Sequence, residues 1–119
     1  MAPQLNTDII RMLVHQAIDH TAKLTSEYVE DVANPIAEAL GRTLELLHPH
    51  TGSRSQSLLL YASAKRQLAA VERLATRKII GDEWVPREEM LVLVDVRYGC
   101  YRAIQRLNSD MDLTRRRAA

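Results

Sequence analysis

The chain has 119 residues, of which 46% are hydrophobic and 26% charged, so it suits one folded domain with a single core. A lone cysteine excludes an internal disulfide, and no leader or apolar run of roughly 18 residues is present, so we expect a cytoplasmic protein outside the membrane. Residues 1–50 carry three bases against seven acids, and residues 51–119 carry thirteen against eight. This imbalance predicts an anionic partner or association between unlike surfaces, unless the polar faces simply vary.

The first predicted element is a helix whose apolar residues recur at helical spacing from Ile9 to Leu24. Asn6 or Thr7 suits the cap position before it, and Asp8 suits the positive end of the helix dipole.

The segment that follows keeps the helical period to Leu47 but contains two candidate interruptions, Thr25-Ser26 and Asn34-Pro35. Each pair resembles a helix start, because Thr, Ser and Asn favour the cap position and Pro favours the first turn. We predict a break near residues 25–26 and a bend at Asn34-Pro35, with the reverse assignment left open. Pro49 then ends the helix, and residues 48–56 form a loop.

A long third helix is predicted from Ser55 or Ser57 to Ile80, with Gly81 at its C-terminal cap. Pro86 marks the start of a fourth helix that runs to about Asn108. Together these elements predict an all-α, antiparallel four-helix bundle with a kink near Asn34-Pro35. Residues 1–108 would form its single domain, and residues 109–119 a flexible basic C-terminal tail.

Residues for metal or covalent chemistry are sparse. His15 and His20 are five residues apart, so they point to different sides of a helix, and no Glu-x-x-His motif occurs. Cys100 lies mid-helix without a histidine near it, which predicts a packing role. The four isolated glycines form no phosphate-binding loop. We therefore predict no catalytic residue, no metal site and no cofactor.

One pair of residues has the spacing of a catalytic motif. Arg42 and His48 resemble the Arg-x(4–6)-His signature of HEPN nucleases, which are small helical bundles that cut RNA. The resemblance implies that His48 activates the ribose hydroxyl and that Arg42 stabilises the phosphate. The alternative interpretation is a histidine favourably placed at a helix C-terminus, with Arg42 paired to Glu38 or Glu45.

Arginines on the last two helices form the stronger functional pattern. Helical spacing places three of them in one stripe along the third helix, and others follow on the fourth helix and in the tail. Arginines along parallel helices suit contacts with phosphates, and Tyr98 and Tyr101 would either stack on bases or belong to the core. The predicted nucleic-acid-binding residues are Arg66, Arg73, Arg77, Arg97, Arg102, Arg106, Arg115, Arg116 and Arg117.

The order of elements resembles that of the four-helix-bundle proteins related to the 23S rRNA intervening-sequence protein, which include the accessory proteins of diversity-generating retroelements. The similarity rests on a first helix ending near "AKL", a second ending "LELL", "LLLYASAKRQLAAVERLA" as the third, and "PREEM…YRAIQRL" as the fourth. It implies a non-enzymatic homo-oligomer that binds RNA and assists a reverse transcriptase. Two stretches, "KLTSEYVED" and "AIQRLN", depart from that pattern.

We therefore expect an oligomeric accessory protein that is not an enzyme and that binds nucleic acid, RNA more than DNA, through its arginines. The first alternative is a protein–protein adaptor in which the acidic first half of one chain meets the basic second half of another. The second is an RNase that uses Arg42 and His48.

Overall fold

A computed structural model describes residues 7–48 and 53–118, with the backbone alone for Arg54, Arg117 and Ala118. It contains four helices and, within these ranges, no strand: α1 (Asp8–Thr21), α2 (Glu30–Leu46), α3 (Arg54–Ile80) and α4 (Arg87–Ala118). The prediction of an all-α four-helix bundle is confirmed.

Helix α1 buries one apolar face formed by Ile10, Leu13, Val14 and Ala17. Thr7 is its N-cap residue, but the Thr7 hydroxyl does not cap the helix. It donates instead to the carbonyl oxygen of Leu47 at 3.3 Å. The start of α1 therefore lies beside the end of α2, so the two helices are antiparallel.

The break between α1 and α2 lies near residues 25–26, as predicted, and α2 begins at Glu30. Neither Thr25 nor Ser26 caps α2, because the residue before its first turn is Val29. The helix continues through Pro35, whose ring nitrogen has no hydrogen to donate to the preceding turn. The bend predicted at Asn34-Pro35 stays a prediction.

Helix α3 begins at a reciprocal cap between Ser53 and Gln56. The Gln56 N–H donates to Ser53 Oγ at 3.2 Å, and the Ser53 N–H donates to Gln56 Oε1 at 2.9 Å. The helix ends at Ile80, followed by Gly81 in extended conformation with φ −69° and ψ 162°. A Cβ at Gly81 would lie 2.9 Å from the carbonyl oxygen of Arg77, so the close approach of the backbone favours glycine there.

Helix α4 is longer than the sequence pattern indicated. We predicted an end near Asn108 and a tail over residues 109–119, but the helix runs to Ala118. Met111 and Thr114 are buried one and two turns beyond Leu107, and the Thr114 hydroxyl donates to the carbonyl oxygen of Asp110 at 2.9 Å. The prediction of a helix end near Asn108 is wrong, because no proline or glycine follows and the buried face continues.

The helices form a ring in which each packs against its neighbours in sequence, and α4 closes the ring against α1. Leucine, valine and alanine fill the core between them, with Leu40, Leu68, Leu93 and Leu107 fully buried. Since α3 and α4 are longer than α1 and α2, the molecule is elongated, about 52 Å by 20 Å by 18 Å. The outer faces of α3 and α4 are the longest surfaces that the bundle presents.

Candidate nucleic-acid interface

The outer face of α3 carries three exposed arginines, Arg66, Arg73 and Arg77, which we call the α3 stripe. Their positions fall within about 40° of one another around the helix, and the buried residues Ala64, Leu68, Val71 and Ala75 lie on the opposite side. Along the axis, Arg66 and Arg73 are about 10 Å apart, and Arg77 follows about 6 Å further on. The stripe therefore faces away from the core.

Within the described ranges, no acidic side chain forms an ion pair with the α3 stripe. The Arg66 guanidinium donates to Ser63 Oγ at 2.9 Å, and the side chains of Arg73 and Arg77 make no ion pair with any residue in the described ranges. The only acid on α3 is Glu72, which lies about 100° away from Arg73 around the helix. The positive charge of the stripe is therefore not neutralised within the described part of the chain.

Lys78 lies next to Arg77 in sequence but belongs to the interior. Its side chain is 7% exposed, and its Nζ lies 2.9 Å from Asp31 Oδ1 and 3.0 Å from Glu83 Oε2. The hydrogen bond that Lys78 donates to Asp31 raises the pKa of Lys78, and although burial lowers it, the bond donated to Glu83 adds to the increase. Lys78 therefore joins α3 to the start of α2 and does not add to the surface charge.

The arginines of α4 lie on different sides of that helix. Arg102 and Arg106 are one turn apart on one side, whereas Arg97 lies about 140° from Arg102. The Arg102 guanidinium carbon lies 5.9 Å from the centre of the Tyr98 ring, and Arg106 Nε lies 3.6 Å from Asp110 Oδ1. Tyr98 and Tyr101 are exposed, so the core alternative for these tyrosines is wrong.

The last three predicted binding residues belong to the final turns of α4. Arg115 and Arg116 are exposed, and Arg115 Nη1 lies 3.7 Å from Asp112 Oδ1. The side chain of Arg117 lies outside the described residues. The helix places these charges far along the axis of α4, at the end of the bundle opposite the α3–α4 connection.

Asp110 is a buried carboxylate that the sequence pattern did not single out. Its Oδ2 atom has no hydrogen-bond partner, and burial raises its pKa, an effect that Arg106 partly offsets. Burial and the nearby Asp110 charge also raise the pKa of Tyr61. The predicted tail over residues 109–119 left its burial unexpected, although Asp110 follows the buried Leu107 by three residues on the same face.

At the other end of the bundle, a shallow cleft of about 630 Å³ is lined by Glu27, Tyr28, Glu30, Asp31, Lys78 and Glu83. Beside it, Trp84 packs edge-on against Tyr28 with ring centres 5.0 Å apart, and Trp84 remains 67% exposed. This acidic and aromatic corner contrasts with the basic α3 stripe.

The two residues of the nuclease-like motif, Arg42 and His48, lie near the end of α2 and just after it. Arg42 lies in α2, and its Nε donates to Gln67 Oε1 at 3.2 Å, a partner that differs from the predicted Glu38 or Glu45. His48 is exposed and follows the end of α2. His50 lies outside the described residues. Neither Arg42 nor His48 lines the cleft around Lys78.

The remaining residues that could support covalent or metal chemistry do not form a site within the described ranges. Cys100 is buried, and burial, together with Glu72, raises the pKa of its thiol to about 12, in keeping with the predicted packing role. Within residues 7–48 and 53–118, no three His, Cys, Asp or Glu side chains are grouped so as to hold a metal ion. In the same ranges, no helix combines the length and the apolarity needed to cross a membrane.

The resemblance to proteins related to the 23S rRNA intervening-sequence protein stays a prediction. Comparison of the chain with models of protein families, with curated proteins and with solved structures finds no match in any of the three.

Proposed function

We propose that this protein is a non-enzymatic accessory protein that binds nucleic acid, RNA in preference to DNA, through the α3 stripe. The observation that carries this proposal is the outward position of Arg66, Arg73 and Arg77 on a face without an acid. Such a row of unneutralised guanidinium groups is a suitable surface for phosphates, because each group offers several donors in one plane.

The binding would be mainly electrostatic and independent of base sequence. Each arginine that neutralises a phosphate releases a counterion, which makes the affinity steeply dependent on salt. The other predicted residues would add to the positive field: Arg97, Arg102, Arg106, Arg115, Arg116 and Arg117. The preference for RNA and a reverse transcriptase as protein partner come from the resemblance in the order of elements alone.

A salt titration of RNA affinity with two matched double variants tests the proposal. The first variant, Arg73→Gln with Arg77→Gln, removes two charges from the stripe. The control, Lys23→Gln with Arg87→Gln, removes two exposed charges elsewhere and gives the same net charge. For single-stranded RNA, we expect the stripe variant to reduce the slope of log affinity against log salt by about 1.4, since each phosphate contact contributes about 0.7.

The control variant should keep the slope of the wild type. Absence of RNA and DNA binding by the wild-type protein at low salt would refute the proposal. Equal loss of affinity in the two double variants would show that net charge, and not the α3 stripe, attracts the nucleic acid.

A protein adaptor is the second candidate, and the acidic corner around Trp84 is the observation that favours it. Carboxylates beside an exposed indole suit a basic partner segment, through ion pairs and cation–π contact. Binding of an arginine-rich peptide that is lost in Trp84→Ala, with no nucleic-acid binding by the wild type, would support this function over the first.

The nuclease is the third candidate, and it is supported only by the spacing of Arg42 and His48 in the sequence. Incubation of labelled RNA with the wild type and with His48→Ala separates it from the other two. Equal RNA degradation by the two proteins would exclude His48 as a catalytic residue.

A further inference from the structure

The outer face of α4 exposes a row of large apolar side chains, which we call the α4 seam: Leu91, Val94, Tyr98 and Tyr101. Their exposed fractions are 55%, 44%, 61% and 49%. The spacing of three, four and three residues is that of the contact positions in a two-helix coiled coil. Contiguous apolar surface of this kind marks a site of protein association.

The seam points away from the bundle. Val96, Cys100, Ala103 and Leu107 form the buried side of the same helix, and the seam lies opposite them around the helix axis. The four seam residues keep about half of their surface in solvent, although Arg102 lies over the Tyr98 ring and Gln105 donates to the Tyr101 hydroxyl. Helix α1, which packs against α4, exposes the apolar side chains of Ile9 and Met12.

The charges along one edge of the seam change sign near its middle. Glu88 and Asp95 lie before Tyr98, and Arg102 and Arg106 lie after it, all within about 40° around the helix. This edge is therefore acidic in its first half and basic in its second half. Such an edge is complementary in charge to a second copy of itself that runs in the opposite direction.

We propose that a second copy of this chain covers the α4 seam, with the two α4 helices antiparallel and related by a two-fold axis near Tyr98. In that arrangement, the same edges of the two helices meet, so Asp95 faces the partner's Arg102 and the reverse pair forms by symmetry. A parallel arrangement would instead place Arg97 beside the partner's Arg102. The charges therefore select the antiparallel register.

The proposed dimer does not use the α3 stripe, although it would pair Arg102, one of the other predicted binding residues, with the partner's Asp95. The seam and the α3 stripe face outward from different helices, so pairing through α4 leaves Arg66, Arg73 and Arg77 accessible. The seam spans only about 15 Å along the axis, and stable interfaces bury about 800 Å² per partner. We therefore expect an association that depends on protein concentration.

Sedimentation equilibrium over a range of protein concentrations, after nuclease treatment, tests the proposal. The wild type should reach the mass of a dimer. Tyr98→Glu, which places like charges at the two-fold axis, should remain a monomer. Leu59→Glu, at an exposed apolar residue of α3, is the matched control and should dimerise like the wild type.

A charge exchange tests the register without removing apolar surface. Asp95→Arg should weaken the dimer about tenfold, because two symmetry-related attractive pairs become repulsive. Adding Arg102→Asp to that variant should restore the wild-type association. A wild type that stays monomeric, a mass greater than that of a dimer, or a double variant as weak as the single one would each overturn the proposal.

Discussion

The Glu89 carboxylate accepts the backbone N–H of Thr25 at 3.0 Å, although 64 residues separate the two in sequence. It also accepts the N–H of Ser26 at 3.1 Å and the Ser26 hydroxyl. Burial by itself would raise the pKa of Glu89, but the bonds from Ser26 and Thr25 outweigh it, and the pKa lies below its ordinary value of 4.5. One side chain of α4 thus accepts hydrogen bonds from the connection between α1 and α2.

Replacing Glu89 by Gln should lower the free energy of unfolding at neutral pH by about 1–3 kcal/mol, because partly buried donors lose a charged acceptor. Since the folded-state pKa is lowered, the stabilisation is present above pH 4.5 and lost as the pH falls through the folded-state pKa. In denaturant titrations, the difference in stability between the variant and the wild type should therefore shrink as the pH falls from 7 towards 3. Glu88→Gln, one residue away and exposed, should change little.

Lys78→Met should lower the free energy of unfolding by about 1.5–3 kcal/mol, the typical contribution of a hydrogen bond to a charged group. It should leave the affinity for RNA unchanged, because the amino group is buried against Asp31 and Glu83. Lys65→Met, at an exposed residue of the same helix, is the control for stability. Weaker RNA binding by folded Lys78→Met protein would contradict this assignment.

Asp110→Asn should stabilise the protein at pH 7. Burial raises the pKa of Asp110 above 3.8, so the ionised form is disfavoured in the folded state and its cost is present at neutral pH. The gain should disappear as the pH falls below 3.8, where both the folded and the unfolded wild type are protonated. Thermal unfolding at pH 7 and pH 3 measures the effect, with exposed Asp112→Asn as the control.

The Cys100 thiol should be unreactive in the folded protein. Its pKa of about 12 leaves almost no thiolate at pH 8, and the side chain is 1% exposed. Reaction with a disulfide reagent should be more than about a hundredfold slower in buffer than in denaturant. Rapid labelling of the native protein would contradict the packing role.

The elements that could be predicted from the sequence were those with local signals. The apolar period located all four helices, and Gly81 and residues 25–26 marked two of their connections correctly. The polar residues after Asn108 suggested a tail, but Met111 and Thr114 continue the buried face. The predicted tail followed the polar composition of residues 109–119 and missed the apolar period that continues through them.

The candidate site likewise combines features that have a local sequence signal with features that do not. Helical spacing correctly predicted that Arg66, Arg73 and Arg77 share one outer face, because that relationship lies within one helix. The burial of Lys78 depends on Asp31, which lies 47 residues earlier in the chain, and no local sequence pattern indicates it. Long-range pairs of this kind follow from how the helices pack, and a single sequence carries no direct signal for them.

The ring order of the helices has a consequence for how the protein folds. Three of the four helix interfaces join consecutive helices, so most contacts require only short loops to close and should form quickly. The interface between α1 and α4 joins distant parts of the chain, and Glu89 lies at one end of it. We expect this closure to come late, so that Glu89→Gln accelerates unfolding while the folding rate stays close to that of the wild type.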